Sequence, residues 1–224
     1  YQDYRSTPHC PRCGTSLSDH EVSLGYEEDV PDPSVYIKFR IKDGALFRQG
    51  HPGDRPLGDR AAIVAWTTTP WTLPGNTALA VKADAEYGVY RHNDELLVVA
   101  TSLAGRVFGG AATPIMTLSG AALAGLEYEP LYRPEDAGAH VMRFDRDGRL
   151  RRLEPGESTQ GLRRVITAEY VSLDDGTGVV HIAPAFGGED FEEGRRHGLL
   201  FAQPIDLRGT MADGLPGAGL FAKD

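Results

Sequence analysis

Apolar side chains occupy every second position of Val35-Tyr36-Ile37-Lys38-Phe39-Arg40-Ile41, the period of a strand with one face in a core. Ala61-Ala62-Ile63-Val64-Ala65 is apolar without a break and runs on to Thr67, which predicts a strand covered on both faces. Short strand patterns follow at 77–81, 87–90 and 96–100, and Asn93-Asp94 reads as the turn of a hairpin between the last two. Residues 101–108 predict a short helix capped by Thr101 or Ser102. The segments around Ile115 and Tyr128 are apolar but have no clear period. Strands resume at 165–171 and 179–183, separated by the turn Asp174-Asp175-Gly176-Thr177-Gly178, and an amphipathic helix is expected from near Gly188 to just before Gly198. Many short strands, few helices and no strict alternation of the two predict an α+β, mostly β domain of barrel-like form rather than a doubly wound sheet.

Changes of texture divide the chain. Residues 1–33 are polar and turn-rich, 34–204 carry the strands, and 205–224 form a tail whose glycines at 209–219 suggest passage into a larger protein. Residues 43–60 are a Gly/Pro/Asp-rich loop. The 224 residues suffice for a sizeable core, and 41% hydrophobic with 25% charged residues is ordinary for a globular protein. No apolar run is long enough for a membrane span and no leader is evident, so a cytoplasmic protein is expected. The formal net charge of −9 argues against a broad nucleic-acid grip, though it permits contact with a single nucleic-acid end. Arginines at 143, 146, 149, 151, 152, 163 and 164 make residues 143–164 the most basic stretch, which reads as a solvated hairpin in preference to an RNA-phosphate contact.

Both cysteines lie in Cys10-Pro11-Arg12-Cys13-Gly14, the spacing of half a zinc knuckle. Zinc takes four ligands, and neither His9 nor His20 has a convincing spacing to complete the set. Reduced, exposed thiols are therefore expected here.

Two stretches carry the candidate chemistry. In Trp66-Thr67-Thr68-Thr69-Pro70-Trp71-Thr72-Leu73-Pro74-Gly75-Asn76 the prolines fix φ and stiffen the loop, leaving hydroxyls and free N–H groups for a ligand. The alternative is a loop whose threonines cap their own backbone. In the second, His181 stands near a strand end and Asp190 in the first helical turn, joined by Pro184 and Gly187-Gly188. A carboxylate at a helix N-terminus is expected to stay ionised and to suit an ammonium group. The alternative is that Asp190 or Glu189 caps the helix and His181 is an ordinary strand-end histidine. No Gly-x-Ser-x-Gly elbow or Walker loop is present.

The threonine stretch resembles the threonine-rich peptide of isoleucyl-tRNA synthetase editing domains. Gly176-Thr177-Gly178-Val179-Val180-His181-Ile182-Ala183-Pro184-Ala185-Phe186-Gly187-Gly188-Glu189-Asp190 resembles their second motif, and the segment Cys10 to Val22 resembles the entry into the inserted domain. Thr69 and Trp71 favour the isoleucyl member over valyl and leucyl relatives, which carry a Thr-Thr-Arg-Pro version. Motifs of the HIGH and KMSKS type are absent, so the resemblance implies an editing domain without the ATP-dependent site.

That resemblance implies an aminoacyl-tRNA deacylase acting on valyl-tRNA for isoleucine, and on valyl-adenylate as a further candidate. The implied partners are the tRNA 3′ end and the rest of the synthetase, with no membrane and a monomeric state. It assigns Asp190 to the valyl ammonium, Trp71 and His181 to the pocket walls, and Thr67, Thr68, Thr69 and Asn76 to the ester, terminal ribose and attacking water. No cofactor is implied for editing, and zinc at Cys10 and Cys13 would need a second Cys pair from outside the chain. Gly75 stands where alanine is common in the family, a difference expected to matter little. Two rival classes are a module that binds the aminoacyl end without turnover and a zinc-ribbon interaction domain.

Overall fold

The computed structural model describes residues 7–24, 33–42, 61–137 and 139–223. The loop expected at 43–60 and the first six residues of the entry segment lie outside them.

The architecture is α+β and mostly strand, as the pattern predicts. Its largest sheet has five strands in the order β3-β4-β7-β6-β8: β3 (Val35–Arg40), β4 (Ala61–Thr67), β6 (Glu86–His92), β7 (Glu95–Ala100) and β8 (Met116–Ser119). β4 and β7 pair in parallel and the other neighbours are antiparallel. A second sheet places β5 (Ala78–Val81) between β11 (Arg164–Thr167), parallel to it, and β12 (Val179–Ile182), antiparallel. A third holds β9 (His140–Phe144) between β10 (Leu150–Arg152) and β13 (Leu200–Gln203). Among the described residues these sheets do not close into a barrel.

The unbroken apolar run of β4 is explained by burial on both faces. Ala61, Ile63 and Ala65 enter the main core with Phe39, Leu79, Val98 and Tyr128, whereas Ala62 and Val64 pack on the other side against Tyr90, Leu97 and Val99. β5 divides in the same way. Leu79 and Val81 face the main core, and Ala78 and Ala80 meet Ile166, Ile182 and Leu199. The main core thus fills the space between the five-stranded sheet and the β5 sheet.

The Asn93-Asp94 turn and the helix α4 (Gly188–His197) lie where the sequence puts them. Residues 101–108 form a 3-10 turn, Thr101–Leu103, followed by α2 (Ala104–Phe108), and no side chain caps either one. Thr101 instead donates its hydroxyl to Glu86 O at 3.1 Å, which ties the turn to β6. The strand expected over 165–171 stops at Thr167 because its parallel partner β5 ends at Val81, and the bond from Ala168 N to Val81 O at 3.0 Å is the last of that ladder. β13 was not foreseen, and the glycine-rich tail is folded back on itself through bridges from Thr210 to Phe221 and Ile205 to Met211. The entry segment forms a hairpin of β1 (His9–Cys10) and β2 (Thr15–Ser16) and the short helix α1 (Asp19–Leu24). Among the described residues no helix is long and apolar enough to cross a membrane.

The arginine-rich stretch begins with the β9–β10 hairpin, and several of its arginines are engaged within the chain. Arg143 and Arg151 both bind Glu157, and Arg151 with them holds its carboxyl down at about 2, while Arg163 grips Glu135 through two contacts of 2.9 and 2.8 Å. Arg164 donates to His197 O at 2.7 Å.

One close approach gives a sharp test of the packing. Gly120 opens α3 (Gly120–Leu123), and a Cβ there would stand 2.0 Å from Lys82 O and 2.8 Å from its carbonyl carbon. Backbone cannot yield as a flexible side chain would. Gly120→Ala is expected to cost about 3 kcal/mol, measured by urea unfolding, whereas alanine at the open position Gly110 should change stability far less.

Candidate functional site

β4 delivers the chain to the threonine loop, and the loop is braced from within. Thr69 N donates to Thr67 Oγ1 at 3.1 Å, and the two hydroxyls lie 3.2 Å apart. Pro70 begins a 3-10 turn, Pro70–Gly75, where its missing N–H costs nothing. Thr72 closes that turn twice on Thr69 O, through its N–H at 3.0 Å and its hydroxyl at 2.8 Å. The self-capping arrangement left open by the sequence therefore holds for Thr67, Thr69 and Thr72. Thr68 is different, because it is exposed and its hydroxyl makes no hydrogen bond among the described residues.

Asn76 faces inward. Its Nδ2 donates to Ala78 O at 2.9 Å and its Oδ1 accepts from the fully buried Tyr128 hydroxyl at 2.7 Å. Both ends of the amide are engaged with the fold, so Asn76 anchors the loop. Gly75 matters more than expected: a Cβ there would lie 2.7 Å from Phe186 Cε2 and 3.1 Å from Ala202 O. A side chain at position 75 would require the Phe186 ring to shift.

The second stretch lies alongside. In the antiparallel ladder His181 is opposite Leu79 and Ile182 opposite Ala78, and Thr77 N donates to Ile182 O at 2.9 Å. His181 is 7% exposed, and its Nε2 lies 2.9 Å from Thr72 Oγ1. Burial pushes its pKa down to about 4, so the ring is neutral at physiological pH, and Nδ1 has no hydrogen-bond partner. Thr72 was not singled out in the sequence. Its spacing of three residues from Thr69, which folds it onto the same turn, was the available signal.

Asp190 is in the first turn of α4 but does not cap it. Its Oδ2 accepts from Ala183 N at 2.9 Å, two residues beyond His181. The helix terminus is not the leading influence on this carboxyl. Burial raises its pKa, and Glu189 and Glu193 add repulsion that the Ala183 N–H only partly offsets. Tyr170, also missed in the sequence, belongs to this corner. Its hydroxyl is buried without a well-formed hydrogen bond, and burial together with the charge of Asp190 raises its pKa.

Trp71 points elsewhere. With Pro184, Phe186, Phe191, Phe201 and Phe221 it lines a cavity of about 470 Å³, and Lys223 Nζ sits 4.2 Å over its ring. Neither His181 nor Asp190 lines this cavity. Of the two expected walls, Trp71 lines this cavity, whereas the buried His181 does not. The β1–β2 hairpin borders the cavity and carries Cys10 and Cys13, both free thiols. Cys13 has a lowered pKa, first through its contact with Thr15 at 3.1 Å and then through Cys10. Among the described residues no group of three or more metal-ligating side chains gathers.

No protein-family model matches the chain. Curated relatives do. The isoleucine–tRNA ligase of Dehalococcoides mccartyi (strain CBDB1) is 43% identical over 230 residues, taking in 100% of this chain and 22% of the relative. That of Thermus thermophilus is 42% identical over 213 residues, 94% of this chain and 17% of the relative, and that of Picrophilus torridus is 39% identical over 223 residues, 100% and 18%. Among solved structures, the P. knowlesi cytosolic leucyl-tRNA synthetase editing domain superposes with a TM-score of 0.49 at 12% identity, covering 75% of this chain and 61% of that one. The chain is similar to isoleucine–tRNA ligases along its whole length, and it spans about a fifth of the length of the curated relatives it matches.

Burial of His181 has a measurable consequence. The folded ring refuses a proton until about pH 4, whereas an unfolded histidine takes one up near its ordinary value of 6.5. Stability contributed by the neutral ring is therefore complete above 6.5 and is lost as pH falls toward 4, by up to about 3 kcal/mol. The raised pKa of Asp190 acts in the opposite sense, so the comparison must be with His181→Gln. Urea unfolding between pH 7 and 4.5 should show a steeper fall in the native chain than in that variant.

Proposed function

We propose that the chain hydrolyses the ester joining valine to the terminal adenosine of isoleucine tRNA, with valyl-adenylate as a second candidate substrate. The observation that carries this reading is the Asp190 carboxylate. It is desolvated, crowded by other acidic groups and fixed by Ala183 N on the same strand end as His181. Such a carboxylate is costly when ionised alone and gains most from an ammonium beside it. An α-amino group on an acyl chain supplies that cation.

Similarity to isoleucine–tRNA ligases supplies the need. One methylene in an apolar pocket is worth only about 1–3 kcal/mol, and the isoleucyl enzyme is itself the usual illustration of that limit, so valine is mischarged and a second site must remove it. In the reaction, water adds to the ester carbonyl, the carbon–oxygen bond to the ribose breaks, and the proton released by water passes to the departing ribose oxygen. No strong general base is on hand: His181 is a weak base at about 4, and Asp190 is committed to the ammonium. The rate then comes from holding water and carbonyl together and from hydroxyl and N–H donors aimed at the oxyanion. Thr68 has the free hydroxyl for this task, with Thr67 and Thr69 bracing the loop around it. The partners on this reading are the tRNA 3′ end and the rest of a synthetase, at work in the cytoplasm where translation proceeds.

Asp190→Asn is expected to lower kcat/KM for valyl-tRNA deacylation by about 10- to 100-fold, the worth of a charged hydrogen bond of about 1.5–3 kcal/mol. The native pH profile should fall on the acid side with an apparent pKa above 3.8, the ordinary aspartate value. An unchanged rate in the variant removes Asp190 from the site, and tRNA-end binding with no turnover in the native chain replaces the hydrolase by a capture module. His181→Ala and Trp71→Ala, taken one at a time, test which of the two side chains excludes isoleucine. The side chain that does so is the one whose loss permits hydrolysis of isoleucyl-tRNA.

A further inference from the structure

A second cavity, of about 380 Å³, is lined by three cationic side chains, Lys42, Arg133 and Arg163, and by no carboxylate among the described residues. In a chain of formal net charge −9 such a grouping calls for a reason. The three cations are held differently. Arg163 is 4% exposed and gives two nitrogens to Glu135, which leaves a buried Nε without a hydrogen-bond partner. Thr159 donates to the same carboxylate at 3.2 Å, so both oxygens of Glu135 are engaged. Lys42 Nζ stands 3.4 Å from Glu127, a surface pair of the weak kind that either side chain can leave at little cost. Arg133 is exposed and makes no ion pair among the described residues.

The neutral part of the lining adds donors. Ser158 Oγ accepts from Gln160 N at 3.1 Å, which leaves its own proton to give, and the Gln160 side chain is exposed beside it. Pro130 is the one apolar side chain of the lining, and no aromatic ring takes part, so a base has nothing to stack on. The set suits a tetrahedral oxyanion: Arg133 offers a planar fork of donors and Lys42 a movable point charge. The cavity is also tied to the threonine loop. Pro130 stands two residues beyond Tyr128, whose hydroxyl holds Asn76, and Lys42 follows Ile41, which bridges to Tyr128.

We infer that this cavity takes a backbone phosphate of RNA, with Arg133 and Lys42 making the contacts beside an Arg163 guanidinium already fixed by Glu135. Such a contact positions a strand without reading its sequence. A single pocket of this kind is compatible with an acidic chain, where a broad positive surface is not. That the strand is the one leading to the aminoacyl end rests on the hydrolase reading; the phosphate contact itself does not.

The test measures binding of the chain to a fluorescein-labelled, uncharged RNA hairpin with a short single-stranded 3′ end, across a range of KCl concentrations, so that no turnover is needed. Arg133→Gln and Lys42→Gln, both at exposed positions, should each weaken binding about five- to eightfold near 0.1 M salt. Each should also lower the slope of log K against log salt by about 0.7–0.9, the signature of one phosphate contact. Arg149→Gln alters the net charge equally, lies in the turn of the β9–β10 hairpin outside the cavity, and should leave both quantities nearly unchanged. Equal losses in all three variants, no loss in Arg133→Gln, or no saturable binding by the native chain overturns the proposal. Inorganic phosphate and AMP, each tested at matched ionic strength, should displace the RNA no better than KCl does. Displacement by either one that disappears in Arg133→Gln assigns the cavity to a small free phosphate and overturns the RNA assignment. If the native chain fails to deacylate valyl-tRNA while the binding losses appear as expected, the hydrolase reading falls and the phosphate site stands.

Discussion

The antiparallel pairing of β5 with β12 is the constraint on which the site depends. β5 begins where the threonine loop ends, and β12 ends where the Pro184–Gly188 crossing begins. Antiparallel register sets those two points side by side, with Ala78 opposite Ile182 and Thr77 N bonded to Ile182 O. A parallel pair would have put them a strand length apart. A slip of one residue would turn His181 to the opposite face of the sheet, away from Thr72. Burial of Leu79 and Val81 on one face and of Ala78 and Ala80 on the other makes such a slip costly, so the register that builds the core also builds the site.

Desolvation gives this corner its chemical character. His181, Asp190 and Tyr170 all have pKa values moved toward the neutral form, with burial the leading cause in each. Charge is therefore disfavoured in this corner. An arriving cation changes that balance, because it stabilises ionised Asp190 and is itself stabilised where water is scarce. The rest of the surface behaves differently: Arg143, Arg151 and Arg163 are matched by Glu157 and Glu135 inside the chain. Recognition on this reading comes from one desolvated carboxylate and not from a field of positive charge.

Much of this was legible in the sequence because it is written in periodicity. The alternation at 35–41, the unbroken run at 61–65 and the helix from Gly188 to Gly198 each reflect local burial, and both motif stretches were found on composition and spacing. What was not legible depends on contacts between distant residues. The inward turn of Asn76 needs Tyr128, fifty-two positions away, and the raised pKa of Asp190 needs burial that outweighs a helix terminus. The consequence of Gly75 appears only with Phe186 seated beside it. β13 and the folded tail were hidden because short strands beside Pro204 and scattered glycines carry almost no period.

That Trp71 lines the cavity and His181 does not bears on how a second sieve can work. Size exclusion needs a wall that does not yield, and a side chain's resistance depends on what holds it. His181 is held on two sides, by the β5–β12 ladder and by the Thr72 hydroxyl, in a region packed too tightly for rotamer exchange at low cost. Trp71 has a cavity of about 470 Å³ before it and the flexible stem of Lys223 across its ring, so it has room to move. A rejected methylene must meet the stiffer of these two surfaces to be rejected at all. On the proposed reading that surface is His181 with Thr72 behind it, whereas Trp71 faces the open cavity.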